Sequence, residues 1–417
     1  MKILLLTDIP PCRNLTAGLA LAQLCRFLPR GSLACFTILN RHLHPELCPD
    51  LDWIPMEVAR KPNEYGRRVL RGRLGILTAL PIENCTRWIS APRLVARATR
   101  FARAHNVDLL WAVLQGQTVV RVAGPLARNL GVPLLTQVWD PLSWWLRAHE
   151  VDPWNRWLAR RQFDAAIRQS GCCMTASWVM AEQYENMYGV RCVPMLSCLD
   201  SNAAMPVAEA LRNQHEIVIG MAGQFYAEEE WNQLLAALHE ARWRVAGRSV
   251  RIKVLGPYVP PGAVSEPRLD YRGWKPTAEA IKILAQETDV LYCPYPFAPE
   301  MDEVARVSFP SKIPLYFAAG RPILFHGPAY SSPGRYLIER KAAVICKELS
   351  VPAIYNELER LVTSPALYAK TALNGRSAFL QDFTLDQMRE RFLSALGTMP
   401  QELAPSPLSL RHASNTR

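Results

Sequence analysis

The segment Ser-Phe-Pro-Ser-Lys at residues 308–312 has the residue types that best suit anion binding in this sequence. It opens a predicted helix over 310–319, and the first N–H groups of a helix lack intrahelical acceptors. Together with the helix dipole, a hydroxyl and an ammonium group, these N–H groups suit a phosphate or diphosphate. Pro310 fits the first turn, and we expect Ser308 to cap it. A well-capped helix without a ligand would show the same pattern, so both interpretations stay open.

Two other predicted strands end in residues that suit a ligand. "IVIGMAGQF" ends with Gly220 and Gly223, and small residues there let a ligand approach the backbone. Three glutamates, Glu228–Glu230, follow in the first turn of the next helix and complement its dipole. "YRGWKP" places Trp274 where it could flank a nucleobase, although a single tryptophan is more often a buried packing residue.

Five tryptophans fall within nineteen residues of the segment "QVWDPLSWWLRAHEVDPWNRWLARR", namely Trp139, Trp144, Trp145, Trp154 and Trp157. Sugars present apolar C–H faces that stack on indole rings, and Asp140 could bond hydroxyl groups or act as a base. Core packing explains each tryptophan alone. Their density beside Asp and Arg favours the wall of a carbohydrate site.

Several function classes lose support from the same sequence. The 11 cysteines show no metal-ligand spacing, and no Gly-x-Gly-x-x-Gly fingerprint is present, so we expect neither a metal nor a dinucleotide cofactor. No apolar run approaches the roughly 20 residues that span a bilayer. Asp8 interrupts the apolar start "MKILLLTDIPP", which therefore indicates a buried strand and a cytoplasmic protein.

The net charge is +11, and the excess is concentrated at residues 60–103, which hold eleven Lys or Arg and two Glu. Arg93, Arg97 and Arg100 have helical spacing within "APRLVARATRFARAH". Such a basic amphipathic helix fits an anionic membrane surface, an acidic acceptor or a solvated face. Nucleic acid is disfavoured because no base-stacking or groove-reading motif accompanies the charge.

Strand and helix patterns alternate along nearly the whole chain, which is typical of parallel sheets covered on both faces. We therefore predict an α/β protein with two Rossmann-like domains and a deep cleft between them. The ranges are 1–200, 201–398 with the closing helices, and a disordered tail over 399–417. The strand segments are "KILLLT", "SLACFTIL", "VDLLWAVL", "VPLLTQV", "EIVIGMAG", "VRIKVLG", "LDYRGW", "DVLYCPY" and "RPILFHG". The helices are 16–28, 92–105, 117–129, 229–246, 277–287, 310–319, 366–378 and 384–396.

The order of these segments in the second half resembles the donor domain of GT-B glycosyltransferases, in particular the retaining family 4 group. The matching segments are "GMAGQF", "YRGWKP", "CPYPF" and "FPSKIPLYFAAGRPILFHGP", over about residues 216–345. The first half matches in architecture alone. The resemblance implies a nucleotide-diphosphate sugar as co-substrate, held by the second domain, and a glycan or lipid-linked acceptor held by the first.

Site residues follow from that assignment. Asp140 and Lys312 are the expected catalytic residues. The expected donor-binding residues are Gly223, Gln224, Trp274, Tyr295, Arg306, Ser308, Pro310, Ser311 and Lys312. The expected acceptor-binding residues are Arg13, Gly18, Trp139, Trp144 and Trp145.

The sequence departs from the family pattern in two places. Val307 and Leu315 occupy the positions of two family glutamates, and Gln224 and Phe225 lie where an Arg and a Lys commonly follow the first strand of the donor domain. A catalytically silent nucleotide- or glycan-binding subunit is therefore the main alternative to an enzyme. A nucleotide-sugar epimerase of the same architecture is the third.

Overall fold

The computed structural model describes residues 1–61, 64, 77, 81, 84–259 and 266–397. Contacts divide the chain into two compact units, one made of residues 1–195 with 389 onward and the other of residues 196–388. The sequence-based ranges placed residues 389–397 in the second domain, whereas the contacts group them with the first unit. Phe392 packs on Trp111 with ring centroids 5.1 Å apart, and Arg191 Nη1 donates to the Ser394 carbonyl at 3.0 Å. The expected disordered tail over 399–417 lies outside the described residues.

The first unit contains a seven-stranded parallel sheet with the order β3-β2-β1-β4-β5-β6-β7. Most strands are buried on both faces, which is why their sequences are continuous apolar runs. The strands are β1 Ile3–Thr7, β2 Leu33–Asn40, β3 Met56–Lys61, β4 Leu109–Val113, β5 Leu134–Val138, β6 Cys172–Thr175 and β7 Cys192–Pro194.

Helices cover both faces of this sheet. Their N-caps include Asp152, which accepts from the Asn155 N–H at 3.1 Å, and Ser177, which accepts from the Met180 N–H at 2.9 Å. The helices are α1 Thr16–Cys25, α2 Ala91–Ala104, α3 Gly116–Leu130, α4 Leu142–Ala148, α5 Pro153–Gln169 and α6 Trp178–Tyr188.

The second unit repeats this plan with the strand order β11-β10-β8-β12-β13-β14, and a short antiparallel strand, β9, joins β10. Its core is apolar and includes Trp231, which is fully buried. The strands are β8 Glu216–Ala222, β9 Arg244–Val245, β10 Arg248–Leu255, β11 Leu269–Tyr271, β12 Val290–Pro294, β13 Ile323–His326 and β14 Ala343–Cys346. The helices are α7 Glu228–Glu240, α8 Thr277–Glu287, α9 Asp302–Val307, α10 Lys312–Ala319, α11 Ser332–Arg340, α12 Val351–Thr363 and α13 Pro365–Asp382, with α14 Leu385–Leu396 closing the described chain.

The prediction of an α/β protein with two Rossmann-like domains is confirmed. Both sheets are parallel apart from β9, and each is sandwiched between helices. Among the helices described, none combines the length and the apolar character needed to cross a bilayer.

Candidate functional site

The carboxyl edge of the second sheet is shaped by glycines. Gly223 directly follows β8 and has φ +96°, a conformation that favours glycine. A Cβ on Gly256, after β10, would lie 2.7 Å from the Gly223 carbonyl oxygen, so the two turns pack without side chains. Ligands of open parallel sheets bind outside this edge.

Helix α10 is fixed to this edge by Tyr316. The Tyr316 hydroxyl accepts from the Ala222 N–H at 2.8 Å and donates to the Tyr292 carbonyl at 3.1 Å, which joins the ends of β8 and β12. One turn earlier on the same helix, Lys312 lies at the N-terminus. The hydrogen bonds of Tyr316 therefore also fix where the Lys312 side chain lies relative to this edge.

The helix begins two residues later than predicted. Lys312 is its first residue, Ser311 is the N-cap, and the Ser311 side chain makes no cap hydrogen bond. The predicted capping by Ser308 is wrong, because the capping position falls three residues further on. Pro310 precedes the helix, and its carbonyl accepts from the Ile313 N–H at 3.2 Å. Gly320 ends the helix with φ +69°, as the sequence predicted.

The Lys312 side chain is buried, with 7% of its surface exposed. Its Nζ donates to the Gln224 carbonyl at 3.3 Å and lies 4.7 Å from the centre of the Tyr226 ring. Within the described residues, no carboxylate lies at ion-pair distance from this ammonium. Burial lowers the pKa of Lys312, an effect that the neighbouring Cys293 opposes. A buried ammonium without a counter-charge provides a strong electrostatic reason to bind an anion.

Two exposed aromatic rings follow neighbouring strands at this edge. Trp274 is 64% exposed after β11, and Tyr258 is 68% exposed after β10. The two loops are joined, because the Gly256 N–H donates to the Gly273 carbonyl at 3.0 Å and the Tyr271 hydroxyl donates to the Gly256 carbonyl at 2.8 Å. The sequence analysis did not identify Tyr258. It could have done so, because this aromatic residue lies two positions after Gly256, the glycine that follows strand β10.

Two expected donor-binding residues have other partners. Arg306 is exposed and donates to Asp302 at 2.8 Å, with its guanidinium 4.3 Å from the centre of the Tyr330 ring. Tyr295 is buried, and its hydroxyl donates to the Ser308 carbonyl at 3.1 Å, which supports the loop before α10. Their contact with a donor stays a prediction.

One of the three glutamates at residues 228–230, Glu230, has a structural role. Glu230 is 1% exposed and accepts from the Phe297 N–H at 2.7 Å, which ties the loop after β12 to the start of α7. Burial raises the pKa of Glu230. The positions that the sequence resemblance pairs with two glutamates are apolar here: Val307 is buried and Leu315 is half-buried.

In the first unit, two expected acceptor residues have other contacts, Gly18 in packing and Arg13 in an ion pair. A Cβ on Gly18 would overlap Cys12 Sγ and lie 2.9 Å from the Pro10 carbonyl oxygen, so this glycine allows close contact of α1 with the preceding loop. Arg13 is exposed and pairs with Glu46 at 2.9 Å. Ligand contacts of both residues stay predictions.

The five tryptophans differ in their exposure, and a shared wall for a carbohydrate stays a prediction. Trp145 is buried and stacks on His149 at 4.2 Å, whereas Trp154 and Trp157 are exposed on the next helix. Trp139 and Asp140 follow β5, and both are half-buried. The buried Trp139 Nε1 has no hydrogen-bond acceptor among the described residues, so it could donate to a ligand.

Sequence reasoning missed a buried charged cluster at the carboxyl edge of the first sheet. Lys61 Nζ lies 3.2 Å from Glu64 Oε2 and 3.8 Å from Asp8 Oδ2. Glu64 accepts from the backbone N–H groups of Gln117 and Thr118 at 3.1 and 2.9 Å, at the start of α3. Burial raises the pKa of Asp8 to about 6; Lys61 opposes this shift and Glu64 adds to it. Ordinary spacing rules could not find this cluster because its members come from three separate segments.

Solved structures share this architecture over nearly the whole chain. Anabaena HepE (Alr3699), solved in complex with UDP and glucose, is 17% identical with a TM-score of 0.62, covering 96% of this chain and 100% of its own. Sucrose-phosphate synthase from Thermosynechococcus elongatus is 13% identical with a TM-score of 0.66, covering 95% and 98%. The lipopolysaccharide outer core galactosyltransferase WaaB is 11% identical with a TM-score of 0.60, covering 95% and 99%.

The chain has the GT-B fold. No protein-family model matches the sequence, and no curated protein matches it. At these low identities, the structural similarity shows the fold alone, and the chemistry depends on the residues of this GT-B chain. Among the described residues, no group of three or more His, Cys, Asp or Glu side chains could hold a metal ion.

Proposed function

We propose that this GT-B chain is a glycosyltransferase that moves a sugar from a nucleotide-diphosphate sugar to an acceptor hydroxyl in glycan or polysaccharide biosynthesis. The observation that carries the proposal is the buried Lys312 ammonium, which lies at a helix N-terminus without a carboxylate partner in the described residues. The complexes of HepE with UDP and with UDP-glucose support it by analogy of fold.

The donor is assigned to the second unit. Lys312 and the first N–H groups of α10 hold the diphosphate, while Gly223 and Gln224 let it approach the backbone. Trp274 and Tyr258 flank the base. In the transfer step, the bond between the anomeric carbon and the phosphate oxygen breaks and its electron pair leaves with the diphosphate. Lys312 and the helix dipole stabilise that charge without a metal.

The acceptor is assigned to the first unit. Its hydroxyl oxygen forms the new glycosidic bond, and its proton passes to a base, for which we propose Asp140. The half-buried Trp139 and Trp144 supply indole surface and the Trp139 N–H for a glycan or lipid-linked acceptor, whereas the buried Trp145 packs on His149 and supports them from inside the unit. We propose retention of the anomeric configuration by family analogy. We also propose that the enzyme works at the cytoplasmic face of a membrane, which residues 60–103 contact.

Thermal melting against a panel of nucleoside diphosphates tests the donor site. One nucleotide should stabilise the wild-type protein, because a ligand stabilises only the state it binds. Lys312→Ala should weaken that stabilisation, whereas Lys282→Ala, at an exposed position of α8, should not. Absence of any shift at millimolar nucleotide would contradict the donor-site assignment.

A silent binding subunit is the second candidate, and the apolar Val307 and Leu315 favour it. In the family that the sequence resembles, one of the two glutamates at these positions binds the donor ribose, and this chain has no carboxylate at either position. Nucleotide binding by the purified protein, with no release of nucleoside diphosphate from any nucleotide sugar in the presence of a glycan and lipid extract, would favour this candidate over the enzyme.

A further inference from the structure

Three neighbouring helices of the first unit carry an unusual charge pattern. Arg103 of α2 donates to the Asn129 carbonyl of α3 at 3.3 Å, and Arg128 of α3 donates to Gln169 of α5 at 2.9 Å, so the helices lie side by side. They contain four, two and four arginines and no lysine, against one carboxylate, Asp164. We refer to α2, α3 and α5 together as the arginine face.

Within the part of the chain that the structure describes, few carboxylates from neighbouring elements compensate this charge. Asp164 accepts a hydrogen bond from the Tyr188 hydroxyl at 2.8 Å, and Glu57 of β3 pairs with Arg97. Seven of the ten arginines are exposed, including Arg93 on α2 and Arg160 on α5. The face therefore presents a positive potential to any surface that approaches it.

Large apolar side chains are exposed beside these charges. Trp154 is 53% and Trp157 is 46% exposed, their rings stack at 5.1 Å, and the Arg161 guanidinium lies 4.9 Å from the centre of the Trp157 ring. Just before α2, Trp88 is 69% and Ile89 is 44% exposed. Indole rings combined with arginines are typical of side chains that lie at the interface of a bilayer.

Both aromatic groups lie at the same end of the arginine face. The helices lead into β4, β5 and β6 through connections of two to four residues, so all three run opposite to the strands. Their N-termini therefore lie at the carboxyl edge of the sheet. Trp88 precedes the N-terminus of α2, and Trp154 and Trp157 occupy the first two turns of α5. This edge is also where a parallel sheet binds its ligand.

We propose that the first turns of α5, with Trp154 and Trp157, form an interfacial anchor that docks the arginine face on an anionic lipid bilayer. The anchor extends the proposed membrane contact beyond residues 60–103 and turns the ligand-binding edge of the first sheet toward the lipid headgroups. A bilayer fits better than an acidic polysaccharide, because Trp154 and Arg161 lie against the Trp157 ring, where a sugar would stack, while the outer parts of both indoles stay exposed. The bilayer interface accepts the indoles, and its anionic headgroups neutralise the arginines.

Co-sedimentation of the full chain with sucrose-loaded vesicles tests this inference. The vesicles consist of phosphatidylcholine alone or with about one third phosphatidylglycerol. The wild-type protein should sediment with the anionic vesicles, and less so as salt rises. The double variant Trp154→Ala, Trp157→Ala should partition at least about fivefold more weakly. Trp154→Phe, Trp157→Phe should retain most of the binding, because the rings stay apolar.

The matched control replaces Leu373 and Leu380 by alanine, since both are exposed on α13 of the second unit and should leave partition unchanged. Equal partition of the Trp154→Ala, Trp157→Ala variant and the wild-type protein would overturn the anchor. Binding to a soluble acidic polysaccharide without sedimentation, or a tryptophan-dependent dimer in gel filtration without sedimentation, would also overturn it. The readout is vesicle binding, so a failure of the transferase proposal would leave this result unaffected.

Discussion

Replacing Lys312 by methionine removes the buried ammonium and keeps an unbranched side chain of similar length. The free protein should become more stable, by about 1 kcal/mol, because a buried charge without a counter-charge costs more than an apolar side chain. The Gln224 carbonyl, which loses its hydrogen bond, lies at the exposed edge and can bond water instead. At roughly 2–4 °C per kcal/mol for a domain of this size, the melting temperature should rise measurably.

Nucleotide binding should change in the opposite direction. Loss of a charged hydrogen bond costs about 1.5–3 kcal/mol, which corresponds to roughly tenfold to hundredfold weaker affinity. A nucleoside diphosphate at about 100 times its Kd stabilises the wild-type protein by about 2.7 kcal/mol. At the same concentration, the variant should be stabilised by only about 0.4–1.4 kcal/mol.

The pH dependence provides an independent readout for Lys312. Burial lowers the pKa of Lys312 in the folded protein below its ordinary value of 10.5, so the folded state binds fewer protons than the unfolded state between the two values. The stability of the wild-type protein relative to Lys312→Met should therefore rise with pH in this window. Urea unfolding of both proteins at several alkaline pH values measures the difference.

Destabilisation of the free variant together with an unchanged nucleotide shift would refute this reasoning. The ammonium would then contribute to folding alone, and the helix start would be a packing feature. Lys282→Met, at an exposed position on α8, serves as the control and should alter neither quantity.

Three further outcomes are expected from the same geometry. Gly18→Ala should destabilise the protein by about 1–3 kcal/mol in urea unfolding, because its Cβ overlaps Cys12, whereas Gly171→Ala, which meets nothing within 4 Å, should be nearly neutral. Asp8 has a pKa of about 6 in the folded protein and 3.8 in the unfolded chain, so its ionisation should lower the free energy of unfolding by about 3 kcal/mol. This free energy should therefore fall as the pH rises from about 4 to about 7 in the wild-type protein, and should fall less in Asp8→Asn. Tyr258→Ala and Trp274→Ala should each weaken nucleotide binding in calorimetry by about tenfold, and unchanged affinity would remove that residue from the base site.

Sequence periodicity was sufficient for much of the fold. The helix predicted over 277–287 has those bounds, and the basic helix predicted over 92–105 is observed over Ala91–Ala104. Apolar runs located β1, β2 and β8 because fully buried parallel strands leave a continuous hydrophobic signal. Five strands were not predicted: β3, β6, β7, β9 and β14. Four of them have two to four residues, and β3 carries polar residues, so none leaves a long apolar run.

The candidate site was predicted less completely, for physical reasons. Lys312 was identified because a helix start has a local pattern, but its burial follows from the contact of Tyr316 with the ends of β8 and β12. Trp145 and Trp154 lie only nine residues apart, yet one is buried and the other exposed, because they belong to different helices. In the cluster around Lys61, the pair with Glu64 is local, but the contacts with Asp8 and with the start of α3 depend on tertiary folding.

Calorimetric titration of the wild-type protein with nucleoside diphosphates, the matching monophosphates and the corresponding nucleotide sugars tests the central claim most directly. We predict that the diphosphate and sugar conjugate of one base bind, that the monophosphate binds about tenfold or more weakly, and that Lys312→Met removes this preference. Binding of no nucleotide, or equal affinity for the monophosphate and the diphosphate, would contradict a diphosphate site at Lys312.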